Sequence, residues 1–252
     1  MKHKNKILIF IMLTLLIMGM KTVEANGPII AQGTEEQVTL NEYYQYDPVI
    51  YKDIIVWYDN RNGNWDIYMY NITSGDESQV TTNASDQQLP AIYQDRIVWM
   101  DNRNGNWDIY MYDITSGIES QVTTNASDQC TPAIYGDKIV WNDFRFDDLG
   151  DIYMYTISSE TESPVIVYYQ SQWTPAIYEN RIVWEDVRNL NKDIYMYNIT
   201  SGDEDQITTN VSDQLLPAIY QDRIVWMDNR NGNWDIYMYD ISSGIEYQIT
   251  TN

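Results

Sequence analysis

Carboxylates are the one catalytically useful group this sequence holds in quantity, with 37 Asp and Glu against 15 Lys and Arg and a single histidine. Many of them follow a fixed pattern, Asp-x-Arg and then a later Asp before Ile-Tyr. It occurs at Asp59, Arg61 and Asp66, at Asp101, Arg103 and Asp108, at Asp143, Arg145 and Asp151, at Asp186, Arg188 and Asp193, and at Asp228, Arg230 and Asp235. Glycosidic or acid–base chemistry needs two carboxyl groups whose surroundings push their proton affinities apart. Equivalent sets offer equal surroundings, and a planar guanidinium fork inside each set suits carboxylate pairing. The pattern therefore reads as structural ion pairs that tie hairpins together, and no catalytic residue is assigned. The acids without evident counterparts, Asp147, Asp148, Glu160 and Glu162, gather in one irregular stretch and keep a carbohydrate-active hydrolase as the alternative.

The loop from Asn60 to Asp66 places oxygen donors at alternate positions, as a calcium loop does. Its glycine, Gly63, comes too early, Asn71 stands where a bidentate Glu belongs, and Arg61 puts a cation inside. A type I′ turn at Asn62-Gly63 accounts for the same letters, so neither a metal nor another cofactor is expected.

Lys2, Lys4 and Lys6 precede an apolar run from Ile7 to Met20 and then Val23-Glu24-Ala25, the layout of a secretory signal peptide over residues 1–25. The run is shorter than the ~20 residues a helix needs to cross a bilayer. No second run follows, so the mature chain is expected to lack a transmembrane segment and to be secreted or held at the cell surface. Residues 1–25 contain four lysines, the one histidine and one acid, so the remainder is more acidic still than the net charge of −22. Without histidine, Ser-His-Asp triads, Cys-His pairs and imidazole metal sites are excluded together. So acidic a surface repels phosphate backbones, which excludes nucleic acid as a partner. Cys130 is alone, so no intrachain disulfide forms and stability rests on burial and backbone pairing.

The elements that carry these residues recur with one period. Pro48, Pro90, Pro132, Pro175 and Pro217 keep a common spacing, broken by one extra residue in the third copy, and Trp57, Trp99, Trp141, Trp184 and Trp226 keep the same spacing. Within the second copy four strand candidates stand out, Pro90–Tyr93, Arg96–Met100, Asp108–Tyr112 and Glu119–Thr124, separated by Asn, Asp and Gly turns. In the second of these, Ile97 and Trp99 point one way and Val98 and Met100 the other, so both faces of each sheet are apolar. A four-stranded unit cannot bury two apolar faces alone, but units stacked around an axis can. The fold class is thus all-β, a β-propeller of five four-stranded blades over residues 42–252, with 26–41 as an N-terminal extra strand segment. A closed ring of five is favoured over an open ring or a partial sixth blade, the latter suggested by Gln37-Val38-Thr39-Leu40-Asn41, which looks like a spare fourth strand.

Three stretches carry a family resemblance: Pro90-Ala-Ile-Tyr93 with Arg96-Ile-Val-Trp99, Asp101-Asn-Arg-Asn-Gly-Asn-Trp-Asp-Ile-Tyr-Met-Tyr112, and Gln121-Val-Thr-Thr-Asn125. They resemble the TolB-like β-propeller repeats, especially arrays in cell-surface proteins of methanogenic archaea. The resemblance implies a propeller with the Asp-Ile-Tyr strand third in each blade and no catalytic residues to carry over. The number of copies departs from the six blades usual in that family.

Trp65, Trp107 and Trp234 follow the hairpin tips, where the third and fourth copies have Gly150 and Lys192, and are candidate contacts for a glycan or a partner chain. Packing against the neighbouring hairpin is the competing reading. Glycosylation sequons stand at Asn71, Asn83, Asn125, Asn198 and Asn210. The expected role is a non-catalytic binding or structural interaction module, with a protein or a cell-envelope glycan as partner. Subunits of an envelope or surface-layer assembly share these features.

Overall fold

Each copy of the repeat folds into four antiparallel strands in sequence order, every strand hydrogen-bonded to the next. The computed structural model describes residues 35–146 and 149–251. The expected signal peptide and residues 26–34 lie outside the described residues, and residues 35–41 form no strand. The first blade comprises β1 (Gln45–Tyr51), β2 (Ile54–Asp59), β3 (Asp66–Asn71) and β4 (Asp76–Gln79). The second holds β5 (Gln87–Tyr93), β6 (Arg96–Asp101), β7 (Asp108–Asp113) and β8 (Ile118–Gln121), and the third β9 (Gln129–Tyr135), β10 (Lys138–Asp143), β11 (Asp151–Thr156) and β12 (Thr161–Ile166). The fourth has β13 (Gln172–Tyr178), β14 (Arg181–Asp186), β15 (Asp193–Asn198) and β16 (Glu204–Gln206), and the fifth β17 (Gln214–Tyr220), β18 (Arg223–Asp228), β19 (Asp235–Asp240) and β20 (Ile245–Gln248). One 3-10 turn at Ile157–Ser159 is the only helical element among the described residues.

The fourth strand of a blade is shorter than its sequence suggests, and a side chain is the reason. After Gln121 the amides of Val122 and Thr123 both reach the Ile109 carbonyl, at 2.8 and 3.3 Å, and the Ile109 N–H donates to the Thr123 hydroxyl at 2.8 Å. Thr123, fully buried, thus takes over the role of a strand carbonyl and ends the ladder. In the first strand the break comes earlier, where the register shifts between Gln88 and Ala91. Leu89 adopts φ +51° ahead of Pro90, and Asp47, Thr131, Thr174 and Leu216 do the same in the other blades. A bulge is where a strand tolerates proline, which has no N–H for the ladder.

Blade joints form the core. Val56 and Ile67 of the first blade pack with Ile97, Trp99 and Tyr110 of the second. Val98 and Ile109 meet Ile139, Trp141 and Tyr153 in the same way. The third blade's Val140 and Ile152 meet Ile182, Trp184 and Tyr195, and the fourth blade's Val183 and Ile194 meet Ile224, Trp226 and Tyr237. Each joint therefore sets a forward Val/Ile face against a rearward Ile/Trp/Tyr face, and each side chain so buried contributes about 1.5–3 kcal/mol. The first strands surround a common channel lined by Asp47, Pro90, Pro132, Pro175 and Pro217. At one end of it Tyr51, Tyr93, Tyr135, Tyr178 and Tyr220 form an arc with ring centroids 5.0, 4.4, 4.7 and 5.0 Å apart.

The closed ring favoured by the repeat count is not what forms. Among the described residues the fifth blade makes no joint with the first, and Ile236 on its forward face is 38 % exposed where Ile67, Ile109, Ile152 and Ile194 are at 0 %. The step from blade to blade is set by the bulk packed into each joint, and four such steps do not complete the turn. The hairpin turn also differs from expectation. Gly63 has φ +97° but Asn62 does not enter the positive-φ region, so the turn is not type I′. It closes from the Gly63 N–H to the Asn60 carbonyl at 3.1 Å, with glycine in its last place.

Candidate binding surface

The Asp-x-Arg pattern builds an Asp–Arg–Glu clasp in every blade, and from the second blade on the buried aspartate also takes an indole N–H. Asp101, wholly buried, accepts from the Arg103 backbone N–H at 2.9 Å, from Arg103 Nη2 at 2.5 Å and from the Trp99 indole at 3.2 Å. Arg103 Nη1 donates to Glu119 at 2.6 Å, and the guanidinium lies 4.2 Å from the centroid of Tyr110. Arg61 joins Asp59 and Glu77, Arg145 joins Asp143 and Glu162, Arg188 joins Asp186 and Glu204, and Arg230 joins Asp228 and Glu246. Glu162 is thereby one of a repeated set and not an unshared acid. The later aspartates are not arginine partners as the sequence suggested. Asp66, Asp108, Asp193 and Asp235 accept instead from side-chain amides, such as Asn62, Asn64 and Gln79 at Asp66, and Asp151 accepts from the Tyr168 N–H at 3.1 Å. The reason is reach: the guanidinium turns back over the third-strand tyrosine, and the loop asparagines fill the place beside the second Asp.

These environments separate the two kinds of aspartate. Burial alone would raise the Asp59 carboxyl, but its bonds to the Arg61 side chain and backbone outweigh that and hold it below its ordinary value. At Asp66 and Asp108 burial prevails over the asparagine hydrogen bonds and the carboxyl is raised. Both groups are partnered and sit at 0–3 % exposure, so neither offers a carboxylate to solvent. Glu185, nearly buried and without a counterpart in the other blades, is likewise engaged, by Lys192, Thr174 and the Leu216 N–H. In the channel lining Asp47 is the one carboxylate. Burial also raises the Cys130 thiol to about 12, with Asp128 and Asp143 adding to it.

The three candidate tryptophans part company. Trp65 is half-buried between Tyr46 and Tyr58, at 5.5 and 5.1 Å, and Trp107 packs on the joint between the second and third blades. Trp234 alone of the three is 43 % exposed. Of the sequon asparagines, Asn71 and Asn198 are the last residues of β3 and β15, and Asn83, Asn125 and Asn210 lie in linkers between blades, all partly exposed. The linker asparagines share the hairpin face with the tryptophans.

On that face the third blade breaks the pattern. In the regular joints a hairpin asparagine seals the blade to the next linker: Asn106 Nδ2 donates to the carbonyls of Asn125 and Ser127, both at 3.1 Å. The third blade has Phe146 and Leu149-Gly150 in its hairpin and Val167-Tyr168-Tyr169-Gln170 in its linker, so that seal has no residues to form it. Ile166 replaces the strand-ending threonine, and β12 runs on to pair Ile166 with Ile152. What opens is a cavity of about 370 Å³ lined by Phe146, Asp151, Val167, Tyr168 and Tyr169. Its aromatic and aliphatic walls face solvent, with Tyr169 at 92 % and Phe146 at 66 % exposure, and the Arg188 guanidinium lies 4.5 Å from the centroid of Tyr168. Composition had pointed to the hairpin tryptophans; the signal for this patch was the loss of Asn, Ser and Asp from one linker alone.

No family model matches the sequence, and no curated protein matches it. Solved structures do. A putative TolB from Agrobacterium tumefaciens is 14 % identical with a TM-score of 0.66, over 84 % of this chain and 82 % of that one. TolB from Acinetobacter baumannii is 15 % identical with a TM-score of 0.61, over 74 % of this chain; the match spans about half of that protein, 49 %. An oligogalacturonate lyase in complex with manganese is 12 % identical with a TM-score of 0.63, over 79 % of this chain and 62 % of that one. At these identities the likeness is one of fold, a TolB-like β-propeller.

Proposed function

We propose that this chain is a non-catalytic binding module, secreted or held at a cell surface, that takes a partner protein or cell-envelope glycan on the hairpin face between its third and fourth blades. The observation that carries the reading is the coincidence of broken symmetry with exposed aromatic surface at Phe146, Tyr168 and Tyr169. The first, second and fourth blades spend their hairpin asparagines on seals to the next linker; the third has no asparagine in its hairpin and presents rings. Aromatic walls with the Arg188 guanidinium at hand suit a sugar ring or an apolar peptide side chain, which stack on π faces. The clasps support a rigid scaffold rather than catalysis, since their aspartates are committed to arginine, indole and amide donors. Among the described residues no helix is long and apolar enough to cross a membrane. No sequon falls in the third blade or in the linker that follows it, so glycosylation at Asn125 and Asn210 would leave this patch bare. Screening the purified protein against glycan arrays and envelope extracts, beside a Phe146→Ala/Tyr169→Ala variant, tests the reading. Saturable binding reduced at least tenfold in the variant supports it, whereas binding that ignores both substitutions, or turnover of a sugar polymer, counts against it.

A further inference from the structure

The first strand of every blade ends on a tyrosine and turns at once into the second through two residues, such as Gln94-Asp95 between β5 and β6. The first of the two is left-handed in each blade, with φ +51°, +56°, +59°, +53° and +53° at Lys52, Gln94, Gly136, Glu179 and Gln221. One turn geometry repeated around the channel sets the tyrosines in register, so that Tyr51, Tyr93, Tyr135, Tyr178 and Tyr220 meet in an arc although a whole repeat separates each from the next. Tyr93 and Tyr135 are nearest, with centroids 4.4 Å apart, followed by Tyr135 and Tyr178 at 4.7 Å. A hydrogen bond with the Tyr93 hydroxyl, burial, and a second hydrogen bond with Tyr178 raise the Tyr135 phenol above its ordinary value. Oxygens paired in this way bring the ring carbons ortho to them to the same contact. Solvent still reaches the arc, since its first four rings are half-buried and the fifth is exposed.

Other tyrosines are differently placed. Tyr68, Tyr110, Tyr153, Tyr195 and Tyr237 are buried under arginine guanidinium groups 4.0–4.2 Å from their centroids, whose charge opposes the loss of an electron. Tyr44 and Tyr46 stack at 6.1 Å, but both belong to the start of the first blade and join no two blades. The chain has one cysteine, so no disulfide within it ties blade to blade.

We propose that the tyrosine arc is an oxidative cross-linking site, at which a one-electron oxidant couples Tyr135 to Tyr93 or to Tyr178 and so staples the third blade to a neighbour. Each of two adjacent phenols gives one electron to the oxidant and its hydroxyl proton to water. The two phenoxyl radicals form a carbon–carbon bond between positions ortho to oxygen. Each of those carbons then releases its hydrogen as a proton, each oxygen regains one, and both phenols are restored as a dityrosine. Two electrons and two protons leave in all. Such a link closes a loop of one full repeat, which narrows the unfolded ensemble while the folded joint is already in place. The inference is independent of the third-blade patch.

The test uses the full chain at low concentration, oxidised by photogenerated ruthenium(III) tris(bipyridine) with persulfate as terminal electron acceptor, then digested for mass spectrometry. Expected are dityrosine fluorescence, a loss of two hydrogens per link, and peptides joined from Tyr93 to Tyr135 and from Tyr135 to Tyr178. Unfolding in denaturant should be at least tenfold slower after oxidation than before. Tyr93→Phe/Tyr178→Phe keeps all five rings but leaves no two phenols adjacent on the arc, and should form at least tenfold fewer links within the molecule. Tyr135→Phe alone should leave only the outer pairs, Tyr51 with Tyr93 and Tyr178 with Tyr220, whereas Tyr247→Phe, at an exposed ring on β20, should change nothing. Oxidation without dityrosine, links that persist in the double variant or map outside the arc, or links formed only between molecules overturn the site. Links mapped to the arc with unfolding unchanged overturn the staple.

Discussion

The second and fifth blades are a controlled comparison made by the protein itself. Between Leu89–Ile114 and Leu216–Ile241 no letter differs, and the strands, turns and clasps they form are the same: Trp99 and Trp226 reach Asp101 and Asp228 at 3.2 Å, and Arg103 and Arg230 pair with Glu119 and Glu246. Only the neighbour differs. Local structure is thus a property of the repeat, whereas burial is a property of the joint, and the same isoleucine is core in one blade and surface in the other.

Substitutions on the two faces should separate these contributions. Trp99→Ala and Trp226→Ala remove rings buried to 0 and 1 % by the preceding blade, so each should cost about 3–5 kcal/mol in chemical denaturation. A loss under 1 kcal/mol at either would break the assignment of the rearward face. On the forward face the blades should diverge. Ile109→Ala is expected to cost about 2–5 kcal/mol, while Ile236→Ala, with its side chain partly in water, should stay near 1. At the rim, Asn106→Ala uncaps two linker carbonyls and should cost about 1–2 kcal/mol against a few tenths for Asn233→Ala; equal losses would show the rim contacts to be energetically idle.

The aspartates predict a stability that is not monotonic in pH. Asp66 and Asp108 have folded-state affinities above those of the unfolded chain, so they add stability as pH falls through their folded values. Asp59 is shifted the other way; its contribution is present above the unfolded value of about 3.9 and is lost as pH drops toward its folded one. Melting temperature should therefore rise slightly on mild acidification from neutrality, helped by relief of the net negative charge, and then fall below about pH 4. A curve falling steadily from pH 7 would contradict the raised pair. The smallest effect concerns Cys130: with its thiol pushed up to about 12, native protein should react with a disulfide reagent at pH 8 at least tenfold more slowly than urea-unfolded protein.

Much of this was legible in the residues. The recurrence of Pro90, Trp99 and Asp101 at one spacing gave strand number, strand order and blade count, because each marks a fixed place: a bulge, a joint and a hairpin clasp. Ring closure was not legible, since the turn from blade to blade depends on how Trp99 and Tyr110 fill the joint with Val56 and Ile67 and no single repeat encodes that angle. The glutamate half of the clasp was hidden because Glu77, Glu119 and their counterparts lie on the fourth strand, distant in sequence from the arginine they meet. The third-blade patch was overlooked for a related reason. Exposed aromatic rings were sought where a motif recurs, at Trp65 and Trp107, whereas the surface is open where the motif fails.

An unclosed ring behaves as a row. Since each blade touches only the ones before and after it, cooperativity should weaken toward the ends, and the first and fifth blades, each held on one side among the described residues, become the places where unravelling begins. Thermal motion would then peel β17 to β20 away while the third blade, gripped from both sides, keeps its shape and the aromatic patch it displays.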